Sequence, residues 1–191
     1  MVWHNDQVSI SETEKILSIA KECLVVEGDF VELGCYKGDT SLLLAEVLLG
    51  SDKKLWIYDS FEGLPEKSKF DVSAVGEDFK GGELFVTKRE VKERFLRAGL
   101  PVPMIKKAWF NELGDGDLPG RIVFAFLDGD FYKSIKDSLS LVEDRITPGG
   151  VVVVHDYNNP ALPGVARAVD EWLSSRQVKT MIYKSLIVIC L

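Results

Sequence analysis

Short, nearly unbroken runs of apolar residues alternate along the chain with stretches in which apolar residues recur at helical spacing. The runs predict seven strands, and the stretches predict the helices between them. The predicted strands cover 29–33, 54–58, 102–106, 121–127, 151–154, 178–183 and 186–190, and the predicted helices cover 11–27, 40–49, 87–98, 131–146 and 165–173. This alternation is typical of an α/β fold with a doubly wound, seven-stranded, mostly parallel sheet, in which the last two strands form an antiparallel hairpin at one edge.

The length of 191 residues predicts a single domain, 1–191. Its N-terminal helical segment covers 1–27, and Ser11 with Glu14 predicts a capping box at the start of the helix. Residues 60–85 contain several glycines and charges and show no regular period. Irregular stretches of this length usually cover a binding site in compact domains, so we expect a lid or substrate-binding loop here.

Composition and charge argue against several classes of protein. The net charge is −7, from 23 basic and 30 acidic residues, which disfavours nucleic acid as a partner because phosphate binding needs a basic excess. No apolar run approaches the roughly 18 residues of a membrane span. Residues 1–6 lack the basic region that begins a secretory signal, and three cysteines without CxxC spacing suit a reduced, cytoplasmic setting. A homodimer stays an open alternative.

Carboxylates stand at the ends of four of the five predicted parallel strands, at Glu32, Asp59, Asp128 and Asp156. In doubly wound sheets, ligands bind beyond the carboxyl ends of the strands. Single acidic residues at such positions are often solvated turn formers. Because four of them converge on one rim, we favour a binding site.

The turn after the first strand, 32–40, contains neither the GxGxxG of dinucleotide binders nor a phosphate-binding GxxxxGK[ST] loop. Its Gly34 and Gly38 still permit close backbone approach to a ligand at a helix N-terminus, which favours a carboxylate or phosphate. Asp59 follows Gly34 by 25 residues and is placed for the hydroxyls of a ribose. Together these features predict a cofactor that contains a nucleoside.

Several motifs resemble those of one known family. The motifs are Glu32-Leu33-Gly34 with Gly38, Asp59-Ser60-Phe61-Glu62-Gly63-Leu64-Pro65, Asp128-Gly129-Asp130, Pro148-Gly149-Gly150, His155-Asp156-Tyr157 and residues 163–171. Over about residues 28–175 the chain is similar to the macrocin O-methyltransferase (TylF-like) family. That family belongs to the class I, Rossmann-like methyltransferases. The resemblance implies methylation of a sugar or glycoside hydroxyl, of natural-product or polysaccharide type, that depends on S-adenosylmethionine and a divalent metal.

The resemblance also implies roles for individual residues. The methionine part of the cofactor would lie against the first turn, at Glu32, Gly34, Cys35, Tyr36, Gly38, Thr40 and Ser41. The ribose would be bound by Asp59, with Ser60 and Phe61 beside it, and the adenine would lie near Trp109. Asp128 would adjoin the cofactor and, together with Asp156, ligate the metal. Asp130 would be the general base.

The chemistry supports the same arrangement independently. A sugar hydroxyl is too weak an acid to ionise unaided at neutral pH, so a divalent ion that lowers its pKa and a carboxylate that takes its proton are both useful. Asp128 and Asp130 are two residues apart at a strand end, and Asp156 from the next strand can complete the site. The alternative for Asp-Gly-Asp is a solvent-exposed turn.

His155 departs from the family pattern, which often has two adjacent acidic residues at this point. It is either a third metal ligand or a buried histidine that bonds to neighbouring groups. Mg²⁺ is the expected ion, and Mn²⁺ or Zn²⁺ suits an imidazole ligand better. The departure also motivates an alternative function, a non-catalytic S-adenosylmethionine-binding module. Methylation of a catechol-like small molecule is a further alternative, since the metal site would serve it equally well.

Overall fold

Within residues 7–76 and 79–191, which the computed structural model describes, the chain forms seven strands and five α-helices. The strands are β1 Asp29–Leu33, β2 Leu55–Asp59, β3 Met104–Lys107, β4 Ile122–Leu127, β5 Ile146–Val154, β6 Lys179–Tyr183 and β7 Leu186–Cys190. The helices are α1 Ile10–Glu22, α2 Asp39–Val47, α3 Lys88–Ala98, α4 Tyr132–Val142 and α5 Pro163–Leu173. None of these described helices is both long and apolar enough to cross a membrane. The expectation about a secretory signal rests on residues 1–6, which lie outside the described part.

The strands form one sheet in the order β3-β2-β1-β4-β5-β7-β6. Strands β1 to β5 run parallel, and β7 pairs antiparallel with both β5 and β6. The predicted α/β fold with a mostly parallel sheet and an antiparallel C-terminal hairpin is therefore confirmed. Strand order reverses between β1 and β4, so a crevice at their carboxyl ends is expected.

Apolar side chains on both faces of the sheet are buried, which explains the nearly continuous apolar runs of the strands. Helices α1, α2 and α3 cover one face with residues such as Ile16, Leu42 and Phe95. Helices α4 and α5 cover the other face with residues such as Ile135 and Val169. The two cores hold the carboxyl ends of the central strands in fixed positions.

Several predicted boundaries are wrong, and the largest shifts concern α1, α4 and the start of β5, which lies at Ile146 rather than at Val151. Helix α1 begins after Ser9, whose hydroxyl accepts a hydrogen bond from the backbone of Glu12 in a capping box, so Ser11 and Glu14 lie inside the helix. Helix α4 ends at Val142 rather than continuing to Ile146, because a 3₁₀ turn follows it and β5 already begins at Ile146. A shift in the register between β4 and β5 lets the strand contain the Pro-Gly-Gly sequence.

The segment 60–85 contains no helix or strand among its described residues. Its two ends meet at Leu64, which donates a backbone hydrogen bond to Glu83 (2.8 Å) and accepts one from Gly82 (2.8 Å). Gly63 at this neck has a φ of 82°, and a side chain there would overlap the carbonyl oxygens of Gly82 and Glu83. The neck therefore holds the segment beside the carboxyl end of β2.

Candidate active site

A cavity of about 510 Å³ opens at the carboxyl ends of β1, β2, β4 and β5. Its volume is typical of a site for a small molecule or cofactor. It is lined by most of the residues that the sequence predicts for the site, namely Glu32, Gly34, Cys35, Tyr36, Thr40, Asp59, Ser60, Trp109, Asp128, Asp130, His155 and Asp156. The fold thus brings the predicted cofactor residues and the predicted acidic group together in one space.

Three predicted cofactor residues lie behind the wall of this cavity. Gly38 precedes α2 and has a φ of 80°. Ser41 is fully buried and donates a hydrogen bond to the carboxyl of Glu32. The ring of Phe61 is buried in the core, while its backbone N–H donates to Asp59. In this conformation all three support residues of the cavity wall.

Gly34 is required mainly by the packing of two strand ends. Its φ is 89°, and a side chain there would overlap the carbonyl oxygen of Asp128. The absence of a Cβ lets the turn after β1 pass directly over the end of β4. The glycine thereby brings Glu32 and Asp128 to the same cavity. The sequence suggests a different reason for this glycine, namely the close approach of a ligand.

Glu32 is a carboxyl group almost without contact to solvent, at 1% exposure. Burial raises the pKa of Glu32 to about 8. The hydrogen bond from Ser41 lowers the pKa, whereas the nearby carboxylates of Asp128 and Asp59 add to the increase. A buried acid of this kind gains from a positive charge placed beside it. It suits the cationic part of a ligand.

Asp59 is largely occupied by backbone groups. Its Oδ2 accepts hydrogen bonds from the N–H of Cys35 (2.9 Å) and of Tyr36 (3.2 Å), and its Oδ1 accepts one from Phe61 (2.7 Å). An ionised carboxylate has about four acceptor positions. Asp59 therefore fixes the turn after β1 and retains about one position for a ligand hydroxyl.

Asp128, His155 and Asp156 form a compact group at the ends of β4 and β5. The Nδ1 atom of His155 lies 3.0 Å from Oδ1 of Asp128 and 3.0 Å from Oδ2 of Asp156. Burial lowers the pKa of His155, but the two carboxylates raise it by more, so that it lies well above its ordinary value. One donor atom from each residue lies within 4.8 Å of the others, an arrangement that can surround a cation.

Asp130 lines the same cavity and is half-buried. Burial and the carboxylates of Asp128 and Asp156 raise the pKa of Asp130 well above its ordinary value. Asp130 and Asp156 both have left-handed backbone conformations, with φ of 60° and 57°. Such strain in residues other than glycine persists only where surrounding structure enforces it, and it is frequent at functional sites.

Sequence reasoning missed other residues of the cavity wall. Lys133 and Ser134 on the first turn of α4 line it, as do Asn159, Phe110 and Phe79. The two α4 residues could have been found, since they follow the Asp-Gly-Asp motif at the start of a predicted helix. Gln7 and Val8 also line it, and no motif in the sequence marks them.

Solved structures share this fold. The O-methyltransferase NovP aligns with a TM-score of 0.82 and 24% identity, over 96% of this chain and 80% of that chain. The calicheamicin methyltransferase CalS11 aligns with a TM-score of 0.78 and 16% identity, over 95% of this chain and 79% of that chain. The fold is therefore that of the Rossmann-like methyltransferases.

The chain belongs to the macrocin O-methyltransferase (TylF) family, whose model matches residues 13–187. The resemblance seen in the motifs is thereby confirmed. Among curated relatives, the 8-demethyl-8-(2,3-dimethoxy-alpha-L-rhamnosyl)-tetracenomycin-C 4'-O-methyltransferase of Streptomyces olivaceus is 35% identical over 141 residues, which are 69% of this chain and 54% of that protein. The demethyldecarbamoylnovobiocin O-methyltransferase of Streptomyces niveus is 29% identical over 163 residues, which are 77% of this chain and 58% of that protein. The matches span 54% to 61% of the length of the curated relatives.

Proposed function

We propose that this protein is an S-adenosylmethionine-dependent O-methyltransferase that acts on a hydroxyl of a sugar or glycoside. The observation that carries the proposal is the shared cavity. Glu32 and Asp59 on one side and Asp128, Asp130 and Asp156 on the other open into one space of about 510 Å³. A methyl donor and a hydroxyl acceptor can therefore meet beside a proton-accepting group.

The cofactor half fits S-adenosylmethionine by its chemistry. This cofactor, when bound, supplies a methyl group on a sulfonium centre. Glu32 has a carboxyl that gains from a neighbouring cation, so we assign it to the ammonium group. Asp59 retains about one acceptor position, which suits one hydroxyl of the ribose. The half-buried Trp109 lines the cavity and offers its ring to the adenine.

The acidic group fits a divalent metal ion by its donor set. Two carboxylates and one imidazole converge, with Nδ1 of His155 at 3.0 Å from an oxygen of Asp128 and of Asp156, so a cation between them would have donors on three sides. We propose Asp128 and Asp156 as ligands, with His155 as a third ligand or as a residue that only supports them. Mg²⁺ is the expected ion, and Mn²⁺ or Zn²⁺ becomes more favourable if the imidazole is a ligand. The ion, when bound, lowers the pKa of a coordinated hydroxyl.

Asp130 is assigned to proton transfer. Burial and the neighbouring carboxylates raise the pKa of Asp130, which makes its ionised carboxylate a stronger base than an ordinary aspartate. Asp130 lies at the cavity wall, two residues beyond Asp128, and is not part of the group formed by Asp128, His155 and Asp156. It can therefore take the proton of the acceptor hydroxyl while Asp128 holds the metal.

The sugar class of the acceptor is supported by the relatives. The Streptomyces olivaceus protein is named for methylation of a rhamnosyl tetracenomycin, and a Micromonospora griseorubida relative is named mycinamicin III 3''-O-methyltransferase. Both names describe O-methylation, and the first names a rhamnosyl group. We extend this class to the present chain as a proposal.

Binding of S-adenosylmethionine to the metal-free protein is expected to release about one proton at pH 7. Glu32, with a pKa of about 8, is mostly protonated at that pH, and a cation placed beside it favours the ionised form. Above about pH 9 the carboxyl is already ionised and the release should vanish. Calorimetry in buffers of different ionisation enthalpy measures the release. An equal release from Glu32→Gln would contradict the assignment.

Asp59→Asn is expected to weaken S-adenosylmethionine binding by about tenfold or more, because charge-assisted hydrogen bonds contribute roughly 1.5–3 kcal/mol each. The melting temperature should fall as well, since three backbone N–H groups depend on the same carboxylate. Calorimetry and thermal unfolding check both effects. Asp52→Asn, an exposed position before β2, is the matched control. Unchanged affinity in Asp59→Asn would remove Asp59 from the binding site.

The function is tested by combining binding with turnover. Calorimetry with S-adenosylmethionine, with and without Mg²⁺, is followed by turnover assays over panels of glycosides and catechols. Methylation of glycosides alone supports the proposal. Binding of the cofactor without turnover on any acceptor indicates a non-catalytic binding module, and methylation of catechols alone overturns the sugar acceptor.

A further inference from the structure

We propose that Asp71 is a positioning residue for the proposed chemistry, because it joins the 60–85 segment, which we expect to contact the acceptor, to the starts of the two helices that follow the turns of Asp130 and Asp156. This inference rests on the proposed function. It concerns a residue that takes no part in the chemistry and lines no part of the cavity.

Asp71 is buried to 2% exposure, although it belongs to an irregular segment that is mostly accessible. Its Oδ1 accepts a hydrogen bond from the backbone N–H of Tyr132 (2.7 Å). Its Oδ2 accepts bonds from the N–H (2.8 Å) and the hydroxyl (2.6 Å) of Ser68. One oxygen thus bonds to helix α4 and the other to the segment itself.

The start of helix α5 packs against the same carboxylate. Gly164, the second residue of α5, lies so near that a side chain there would overlap Oδ1 of Asp71. Asp71 therefore lies where the N-terminal ends of α4 and α5 meet. Both helix ends carry a partial positive charge, which stabilises a buried carboxylate. The backbone of Gly164 does not have a positive φ, so its conformation does not require a glycine. The close approach of Asp71 is therefore the reason for a glycine at this position.

The two helices follow the turns of the proposed chemistry. Asp130 is two residues before the start of α4, and Asp156 lies in the loop that leads into α5. Both have strained left-handed backbones, with φ of 60° and 57°. A strained turn keeps its conformation only if the elements that follow it are held in place. Asp71 bonds to one of those elements and packs against the other.

Side chains of the segment add to the same connection. The ring of Phe70 packs against the ring of Tyr132 at an interplanar angle of 52°, with a centroid distance of 4.6 Å. The guanidinium of Arg167, from α5, lies 5.0 Å from the centroid of Phe70. Nearer the neck, Leu64 and Pro65 line the cavity. The placement of Leu64 and Pro65 in the cavity wall is therefore coupled to the geometry of the acidic turns.

The test compares Asp71→Asn with Ser68→Ala and with the control Ser73→Ala. An amide side chain at position 71 has a single acceptor oxygen. It can therefore accept from the N–H of Tyr132 or from the N–H of Ser68, but not from both. Asp71→Asn should lower kcat by about 10- to 100-fold, the loss typical of a small misplacement of catalytic groups. Its affinity for S-adenosylhomocysteine should stay within about twofold, since Glu32 and Asp59 do not contact it. Ser73 caps an exposed turn through the N–H of Val75, and its variant should match the wild type.

Ser68→Ala separates the two sides of the connection. It keeps the bond that the N–H of Tyr132 donates to Asp71 and removes two bonds of the hydroxyl within the segment, one donated to Asp71 and one accepted from the N–H of Phe70. We expect a higher KM for the acceptor with kcat near that of the wild type. A folded Asp71→Asn protein with unchanged kcat and KM would overturn the proposal, even if its melting temperature falls. If Asp71→Asn does not fold, an unchanged acceptor KM in Ser68→Ala overturns it.

Hydrogen exchange provides a readout that is independent of turnover. The amide of Tyr132 should exchange faster in Asp71→Asn than in the wild type, while the amide of Cys35 at the cofactor turn should not change. Unchanged exchange at Tyr132 would overturn the connection itself. If the wild type methylates no acceptor, the proposed function fails, and the exchange result still decides whether Asp71 joins the segment to α4.

Discussion

Asp130→Asn is expected to lower the turnover number by about 10²–10⁴-fold, the usual contribution of a general base. The amide has nearly the same shape as the carboxylate but cannot accept the proton of the acceptor hydroxyl. The three residues of the proposed metal group are unchanged, and Asp130 makes none of their mutual contacts. Metal affinity and cofactor affinity should therefore stay close to those of the wild type.

The control for this variant is Asp144→Asn, which makes the same chemical change at an exposed position after α4. Both proteins should bind S-adenosylmethionine and Mn²⁺ in calorimetry, and only Asp130→Asn should lose turnover. Full turnover in Asp130→Asn would show that another group takes the proton. Loss of metal binding together with turnover would show instead that Asp130 is a ligand.

Asp128→Asn and Asp156→Asn are expected to weaken metal binding by more than tenfold and to abolish turnover that depends on the metal. Replacement of residues that merely support metal ligands already costs about 10–100-fold in affinity, so loss of a ligand carboxylate should cost at least as much. Either change also leaves His155 with one carboxylate partner instead of two. Calorimetry with Mn²⁺ and assays over a range of Mg²⁺ concentrations measure both effects.

His155→Ala distinguishes the two roles left for the imidazole. If His155 is a ligand, metal affinity should fall and the preference should move toward Mg²⁺. If it only supports the carboxylates, metal affinity should fall by no more than about 10–100-fold and the preference among metals should stay that of the wild type. Full turnover of wild-type protein treated with EDTA would contradict a metal-dependent mechanism altogether, and proximity with Asp130 as base would then remain.

The strands were predictable from local sequence, and the meeting of the acidic residues was predictable from the general geometry of parallel sheets. A run such as 122–127 is apolar throughout, since helices cover both faces of the sheet. Parallel strands place their carboxyl ends on one edge, so Asp128 and Asp156 were expected to meet, and they do. The boundary of β5 was not predictable, because Thr-Pro-Gly-Gly at 147–150 is typical of a turn and becomes strand only through pairing with β4.

The roles of several residues depend on contacts between distant parts of the chain. The sequence suggests that Gly34 makes room for a ligand, whereas in the structure it makes room for the carbonyl of Asp128. The sequence predicts that Asp59 binds a ribose, yet in the structure this carboxylate accepts hydrogen bonds from three backbone N–H groups that no local pattern reveals. Asp71 belongs to an irregular segment, and its partner Tyr132 is 61 residues away. Tertiary contacts of this kind leave no period or motif in a single sequence.

The most direct measurement of the proposed activity is incubation of the metal-loaded protein with S-adenosylmethionine and a panel of rhamnosyl and other deoxysugar glycosides, followed by mass spectrometry. The predicted result is one glycoside that gains a single methyl group while an equal amount of S-adenosylhomocysteine forms, and neither product in Asp130→Asn. Cofactor binding with no methylated glycoside, or equal product from Asp130→Asn, would contradict it.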